Sequence, residues 1–300
     1  MTDSLVTVSD GLAGAVEAAD PFVARVAGGR RPATGLVWSA DGVIVATEHT
    51  VRRDEDIVVT LGDGRELPAT VVGRDPSTDL AVLRTQATGL PVPVWRDTDG
   101  LQAGQLVLAL GRPGRTVRAW LGILSAVGHT WQIPGGTHID RYLEPDIEPA
   151  RGISGGPLLD AGGRVIGLNT TGLMRGTVLT MPSTTLRRVT EALLTYGRVR
   201  RGYLGVAAQA VLLPPALEQA AHQRAGLLVH AVEPDSPADR AGLMIGDLVL
   251  TVGGQPVRRP DELLELLTGD RIGAAVPIRL SRAGQIHEVQ AVIIDRPAPA

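Results

Sequence analysis

The sequence predicts a mainly β protein of two domains, and three observations carry that prediction. Short apolar runs alternate with turn residues, as in GLVW, SADG, VIVAT and then IVVTL, GDGR, LPATVVG, which is the spacing of strand, turn and strand in a sandwich or barrel. Glycine (37) and proline (21) are plentiful while aromatics are only 3% of the chain, as many tight turns require. At 300 residues the chain is longer than one hydrophobic core usually organises.

Taken in order, residues 1–20 form an N-terminal segment without a β pattern. The strand texture starts near Phe22 and continues through DLAVLRT, QLVLALG, WLGILSAVG and RVIGLNTTG to about Thr180. After Met181 and Pro182 the apolar period changes. Leu186, Val189 and Leu193 fall at helical spacing, with Ser183 placed to cap the start and Gly197 placed to stop the end. The first domain therefore spans 21–197. The segment 198–202 is short, polar and glycine-bounded, and reads as a linker. A second strand set over 203–296 comprises GYLGV, GLLVHAV, DLVLTVGG, VPIRL and IHEVQAVII. A helix is expected at Asp261 to Leu267, with Leu263, Leu264 and Leu267 on one face.

Composition excludes several functions. A net charge of −3, with no basic run longer than an arginine pair, gives no footprint for nucleic acid or an anionic membrane. The absence of cysteine removes disulfides, thiolate metal sites and cysteine nucleophiles. The first thirty residues carry three Asp and one Glu, with no basic start and no unbroken apolar stretch. They match neither a signal peptide nor a membrane span, so the expected location is cytoplasmic.

The chemistry gathers at GISGGPLLD. Ser154 stands among Gly152, Gly155 and Gly156, which let the backbone turn tightly and present a hydroxyl and amides to a carbonyl. A serine hydroxyl needs an imidazole to take its proton and a carboxylate to orient that imidazole. His49 closes the run VIVATEH, and Asp79 follows thirty residues later, directly before LAVLR. The order His, Asp, Ser is the chymotrypsin-like one, distinct from the subtilisin and α/β-hydrolase orders. Asp75 is a competing acid, but it stands before Pro76 in a turn-like stretch, whereas Asp79 sits at the strand edge. His129, His138, His222, His230 and His287 lack a Ser-Gly partner or metal-ligand spacing. No metal site and no cofactor are expected.

Four blocks, TGLVWSADGVIVATEHTV, DGRELPATVVGRDPSTDLAVLR, GRPGRTVRAWLGILSAVG and GISGGPLLDAGGRVIGLNT, resemble consecutive segments of the HtrA (DegP-like) proteases, and the resemblance runs from about Pro21 to Asp295. It implies a chymotrypsin-like double β-barrel followed by a small α+β PDZ domain. By the same resemblance His49 is the general base, Asp79 the orienting acid and Ser154 the nucleophile, with the main-chain N–H groups of Gly152 and Ser154 as the oxyanion hole. The run SPADRAGLMIGDLVLTVGGQPV resembles the PDZ domain of these proteases. It implies that the amides of Leu204, Gly205 and Val206 bind a peptide C-terminus, which adds as a strand beside the Asp261 to Leu267 helix. Implied partners are unfolded or partly folded proteins, peptide C-termini and two further copies in a homotrimer, for which Phe22 is the only phenylalanine near the N-terminus.

The sequence departs from the family pattern beside the serine, where Ala150, Arg151, Gly152 and Ile153 replace the usual Asn-Pro-Gly-Asn, and at Glu48, where a neutral residue is usual. A β-branched Ile153 narrows the angles open to the loop, so a partly collapsed resting loop is expected. Three readings follow: an active endopeptidase, a catalytically silent relative that binds peptides, and a pure PDZ adaptor.

Overall fold

The computed structural model describes residues 2–133, 137–267 and 271–296. The chain divides into two compact units, residues 1–199 and 200–300.

The first unit opens with helix α1 (Thr2–Ala19), which the strand-centred reading of the sequence did not foresee. Its Leu12, Ala15, Val16 and Ala19 pack on the barrel that follows. That barrel is closed and antiparallel, from β1 (Val23–Ala27), β2 (Ala33–Ser39), β3 (Val43–Thr47), β4 (Ile57–Thr60), β5 (Glu66–Asp75) and β6 (Leu80–Thr85), in the order β1-β2-β3-β6-β5-β4. Every residue of β3, VIVAT, is buried, and so are five of the six in β6. These β-branched and aliphatic runs supply a core shared with Phe22, so the phenylalanine that the resemblance offered for trimer contact is an interior residue.

A second antiparallel sheet of six strands follows, built from β7 (Leu106–Gly111), β8 (Arg118–Val127), β11 (Leu143–Pro145), β12 (Pro157–Asp160), β13 (Val165–Thr170) and β14 (Leu179–Pro182). Its order is β11-β8-β7-β12-β13-β14, and its end strands β11 and β14 lie side by side. Strands β9 (Trp131–Ile133) and β10 (Thr137–Ile139) pair as a separate two-stranded antiparallel sheet, and Trp131 and Ile139 join the core. Helix α2 (Ser183–Tyr196) buries Leu186, Val189 and Leu193 against the barrel core. Gly197, at φ 69°, ends it by donating its N–H to the Leu193 carbonyl. Ser183 does not cap the helix as its position suggested. It is the first helical residue, and its hydroxyl donates to the Arg96 carbonyl at 3.2 Å, because Pro182 occupies the cap position.

The second unit is a sheet in the order β16-β17-β18-β20-β21, from β16 (Val206–Leu212), β17 (Ala225–Val232), β18 (Leu248–Val252), β20 (Ala275–Arg282) and β21 (Gln285–Val292). Shorter pieces complete it: β15 (Gly202–Tyr203) paired with β22 (Ile294–Asp295), β19 (Gln255–Pro256) on β18, and the helices α3 (Pro215–Ala221), α4 (Pro237–Arg240) and α5 (Pro260–Leu266). Helix α5 turns Leu263 into the core with Leu267 just past its end, and Leu266 packs beside them in place of the expected Leu264.

Asp160 fixes the hairpin between β12 and β13 just beyond the serine loop. Its carboxylate accepts from the N–H groups of Gly162 and Arg164 and from the Arg164 and Arg96 guanidiniums, at 2.9 to 3.0 Å. Burial raises its pKa, but these donors outweigh burial and hold the group below the usual carboxylate value. A lowered folded-state pKa contributes stability above the unfolded Asp value of about 3.9, and that contribution is lost as pH falls through the folded value. Asp160→Asn is expected to cost about 2–3 kcal/mol at pH 7. In urea titrations the wild-type and mutant midpoints should converge as the solution is taken well below pH 4.

Candidate active site

Two sheets of the first unit meet at the candidate site. His49 lies on a short 3₁₀ turn, Glu48–Thr50, at the end of β3, and Asp79 directly precedes β6. These strands are neighbours in register, with Thr47 opposite Leu80, so histidine and aspartate arrive side by side. Asp79 adopts φ 56°, a left-handed conformation that aspartate tolerates better than most side chains. Its carbonyl accepts the Glu48 N–H at 3.0 Å, and one carboxylate oxygen accepts the His49 N–H at 2.9 Å. The other oxygen lies 2.7 Å from His49 Nδ1. That contact engages Nδ1 with the carboxylate and leaves Nε2 as the ring nitrogen it does not touch. The Asp79 side chain is 4% exposed and the His49 side chain 32%, so the acid is enclosed while the imidazole faces the solvent opening.

The other two donors to Asp79 and Ser154 come from the end of β13 and the residue after it. The Thr170 hydroxyl donates to Asp79 Oδ2 and accepts the Gly172 N–H at 2.9 Å. Thr171 donates its N–H to Ser154 Oγ at 3.2 Å, and its hydroxyl shares a 3.0 Å hydrogen bond with the same oxygen. Consecutive threonines thus hold the aspartate and the serine at one strand end. The sequence reading foresaw a single row from carboxylate to imidazole to hydroxyl. Only its first half is made: no hydrogen bond joins His49 to Ser154 among the described residues.

The loop around Ser154 is set by close packing. Gly155, at φ 85°, lies where an added Cβ would come within 1.9 Å of the Thr34 carbonyl oxygen on β2, and a Cβ on Gly156 within 1.8 Å of the Leu110 carbonyl oxygen on β7. No side chain fits between the two sheets there. Among the loop amides, Ile153 donates to Ala150, Gly155 to Asn169 and Gly156 to Ile153. The N–H groups of Gly152 and Ser154 meet no acceptor among the described residues. Ile153, the departure noted in the sequence, is fully buried in the core of the second sheet with Leu124, Leu158 and Ile166, where it pins the loop.

Sequence reasoning missed a second anchor. The Thr34 hydroxyl donates to the Gly152 carbonyl at 2.6 Å and accepts the Arg112 N–H at 2.7 Å. The Arg112 side chain, 2% exposed, donates to the carbonyls of Val23, Arg115 and Asp20 and to the Asp20 carboxylate. The signal was a lone arginine in an apolar run, LVLALGR, which composition alone does not mark as buried. The rival acid, Asp75, is engaged elsewhere, accepting from the hydroxyls of Ser77 and Thr78 within its own turn.

In the second unit, Leu204 and Gly205 precede the edge strand β16. Their carbonyls accept the N–H groups of Ala238 and Glu233, while their own N–H groups meet no acceptor among the described residues. Gly205, at φ 83°, sits where a Cβ would come within 2.2 Å of Ser236 Cβ. Val206 begins β16 opposite Val232, and α5 lies alongside that strand.

A model of the trypsin-like peptidase domain matches residues 33–168, and one of the PDZ domain matches residues 228–272. A probable periplasmic DegP-like serine endoprotease of Ectopseudomonas mendocina (strain ymp) is 33% identical over 284 residues, covering 91% of this chain and 59% of the relative. The chain belongs to the DegP-like, HtrA-type serine endoproteases. One from Halomonas elongata is 35% identical over 270 residues, covering 88% of this chain and 56% of the relative. The chain therefore spans a little over half the length of these relatives. Among solved structures, the HtrA-type protease AlgW with a decapeptide superposes with a TM-score of 0.79 at 30% identity, covering 96% of this chain and 99% of that one. The serine endoprotease from Yersinia pestis gives 0.79 at 31%, with 95% and 98% covered.

These names overturn the expected cytoplasmic location, because DegP-like relatives are called periplasmic, which points to export. That expectation read a compartment from the first thirty residues. The structure gives their composition another cause: in α1, Leu12, Ala15, Val16 and Ala19 pack on the barrel, so the spacing of these apolar residues reflects packing.

Gly172 tests the geometry. A Cβ there would approach Asp79 Oδ2 to 2.5 Å and His49 Nδ1 to 2.7 Å. Gly172→Ala is therefore expected to part the pair and lower kcat/KM for peptide hydrolysis by about 10²-fold, with an unchanged circular dichroism spectrum as the check on folding.

Proposed function

We propose that this DegP-like chain is an endopeptidase that cleaves unfolded or partly folded proteins through an acyl-enzyme on Ser154. The observation that carries the reading is the enclosed Asp79 carboxylate bonded to both His49 N–H and Nδ1, one strand end away from a serine in a glycine-walled loop. His49 Nε2 takes the proton from Ser154 Oγ as the oxygen attacks the peptide carbonyl, and then gives it to the leaving amine. Asp79 keeps the imidazole in the required tautomer and stabilises the imidazolium. The unclaimed N–H groups of Gly152 and Ser154 receive the negative charge that develops on the carbonyl oxygen. A water molecule then hydrolyses the ester by the same proton route in reverse.

In the second unit the free amides of Leu204 and Gly205, with that of Val206, bind the carboxylate of a peptide C-terminus, and the peptide extends the sheet along β16. The similar HtrA-type protease AlgW has been solved with a decapeptide, which supports a peptide ligand for this chain.

One observation favours a silent, peptide-binding relative instead: the Ser154 hydroxyl is bonded to Thr171 and not to His49. A fluorophosphonate probe separates the two, since it reacts only with an activated serine. Labelling of the native protein that is abolished in Ser154→Ala, with a loss of about 10⁶ in kcat, is the expected result. No labelling of the native protein would establish the silent relative. Gly205→Ala is expected to weaken binding of a C-terminal peptide at least tenfold in calorimetry, while labelling at Ser154 continues.

A further inference from the structure

We propose that Thr171 is a positioning residue for Ser154, whose hydroxyl holds the serine oxygen away from His49 in the resting protein and must release it before acylation. This rests on the reading of Ser154 as the nucleophile. A serine hydroxyl offers one proton and two lone pairs. Thr171 occupies two of these three positions, with its N–H at 3.2 Å and its hydroxyl at 3.0 Å. Attack requires the proton to reach His49 Nε2 while a lone pair meets the carbonyl carbon. If Ser154 donates to Thr171, the proton points away from the base. If Thr171 donates to Ser154, both lone pairs are occupied. Either orientation must be undone first.

The neighbouring threonine shows that the arrangement divides between two residues. The Thr170 hydroxyl is committed to Asp79 and the Gly172 N–H, so it has no bond left for the serine. The Thr171 hydroxyl has no hydrogen-bond partner other than Ser154 among the described residues. Ser154 itself is only 7% exposed, so water competes weakly for the positions that Thr171 fills. The hydroxyl of Thr171 is therefore what distinguishes a serine held in reserve from one already turned to its base.

The magnitude follows from the strength of one neutral hydrogen bond, which corresponds to roughly a 2- to 10-fold change in rate. Thr171→Val keeps the β-branched shape and the N–H while removing the hydroxyl. Thr171→Ser keeps the hydroxyl and loses only a methyl. The second-order rate of fluorophosphonate labelling, measured on the full chain, is expected to rise about fivefold in Thr171→Val and to return to within about twofold of wild type in Thr171→Ser. Thr171→Ala repeats the first comparison if the valine variant fails to fold, as judged by its urea midpoint. Labelling of Thr171→Val and Thr171→Ala at the wild-type rate or slower overturns the proposal and leaves Ser154 as the nucleophile. Equal acceleration in Thr171→Ser also overturns it, because the hydroxyl would then not be the cause. No labelling in wild type or any variant removes the nucleophile and this proposal together.

Discussion

The site depends on one carboxylate. Asp79 accepts from the main chain of His49, from its imidazole and from Thr170, and its own carbonyl takes the Glu48 N–H. The first two bonds lie within the closed barrel, between the end of β3 and the start of β6. The third reaches β13 of the second sheet. Each charge-assisted bond is roughly twice as strong as a neutral one, and the group is nearly removed from water. Losing any one donor leaves a buried charge short of a partner, which is costlier than the bond itself. The relative placement of the two sheets is thus enforced at the point where the chemistry is proposed to occur.

The serine loop is governed by a different constraint, the absence of room. Gly155 and Gly156 lie against carbonyl oxygens of β2 and β7, one from each sheet. Ile153 fills the second core, and Thr34 ties the Gly152 carbonyl back to β2. The loop is held from both sides by contacts that direct its carbonyls and one side chain inward. The N–H groups of Gly152 and Ser154 are left without an acceptor among the described residues. Donors held this way suit the proposed oxyanion role, because preorganised donors need no rearrangement when charge develops. Ile153 acts here through its buried side chain, so the feature that looks like a defect in the sequence is a packing anchor in the fold.

Much of this was legible because strands write themselves locally. The run VIVATEH and the run DLAVLR each announce a buried strand with a polar residue at its end, and the order of His49, Asp79 and Ser154 narrows the topology. The PDZ core was legible for the same reason. What escaped were side chains whose role depends on distant partners. Thr34 and Gly152 are 118 residues apart, Thr170 and Asp79 are 91 apart, and Asp20 and Arg112 are 92 apart. A threonine in a strand is ordinary by propensity, and nothing nearby in the sequence says which hydroxyl will meet a carboxylate. Helix α1 escaped because four of its nine apolar residues are alanine, and its Leu5, Val6 and Val8 are exposed, which blurs the periodicity.

The two adjacent threonines show why geometry and energy must be weighed separately. Thr170 holds a charged group, and its bond is strong enough to define where the acid sits. Thr171 holds a neutral hydroxyl by bonds that in a folded protein are worth only about 1 kcal/mol net each. The same strand end therefore supplies one contact to a carboxylate and another, weaker one, which the proposed mechanism requires to break before acylation. The acid is held by several contacts and the loop backbone by close packing, whereas the serine oxygen is held by Thr171, and it is the atom that the proposed reaction requires to turn toward His49.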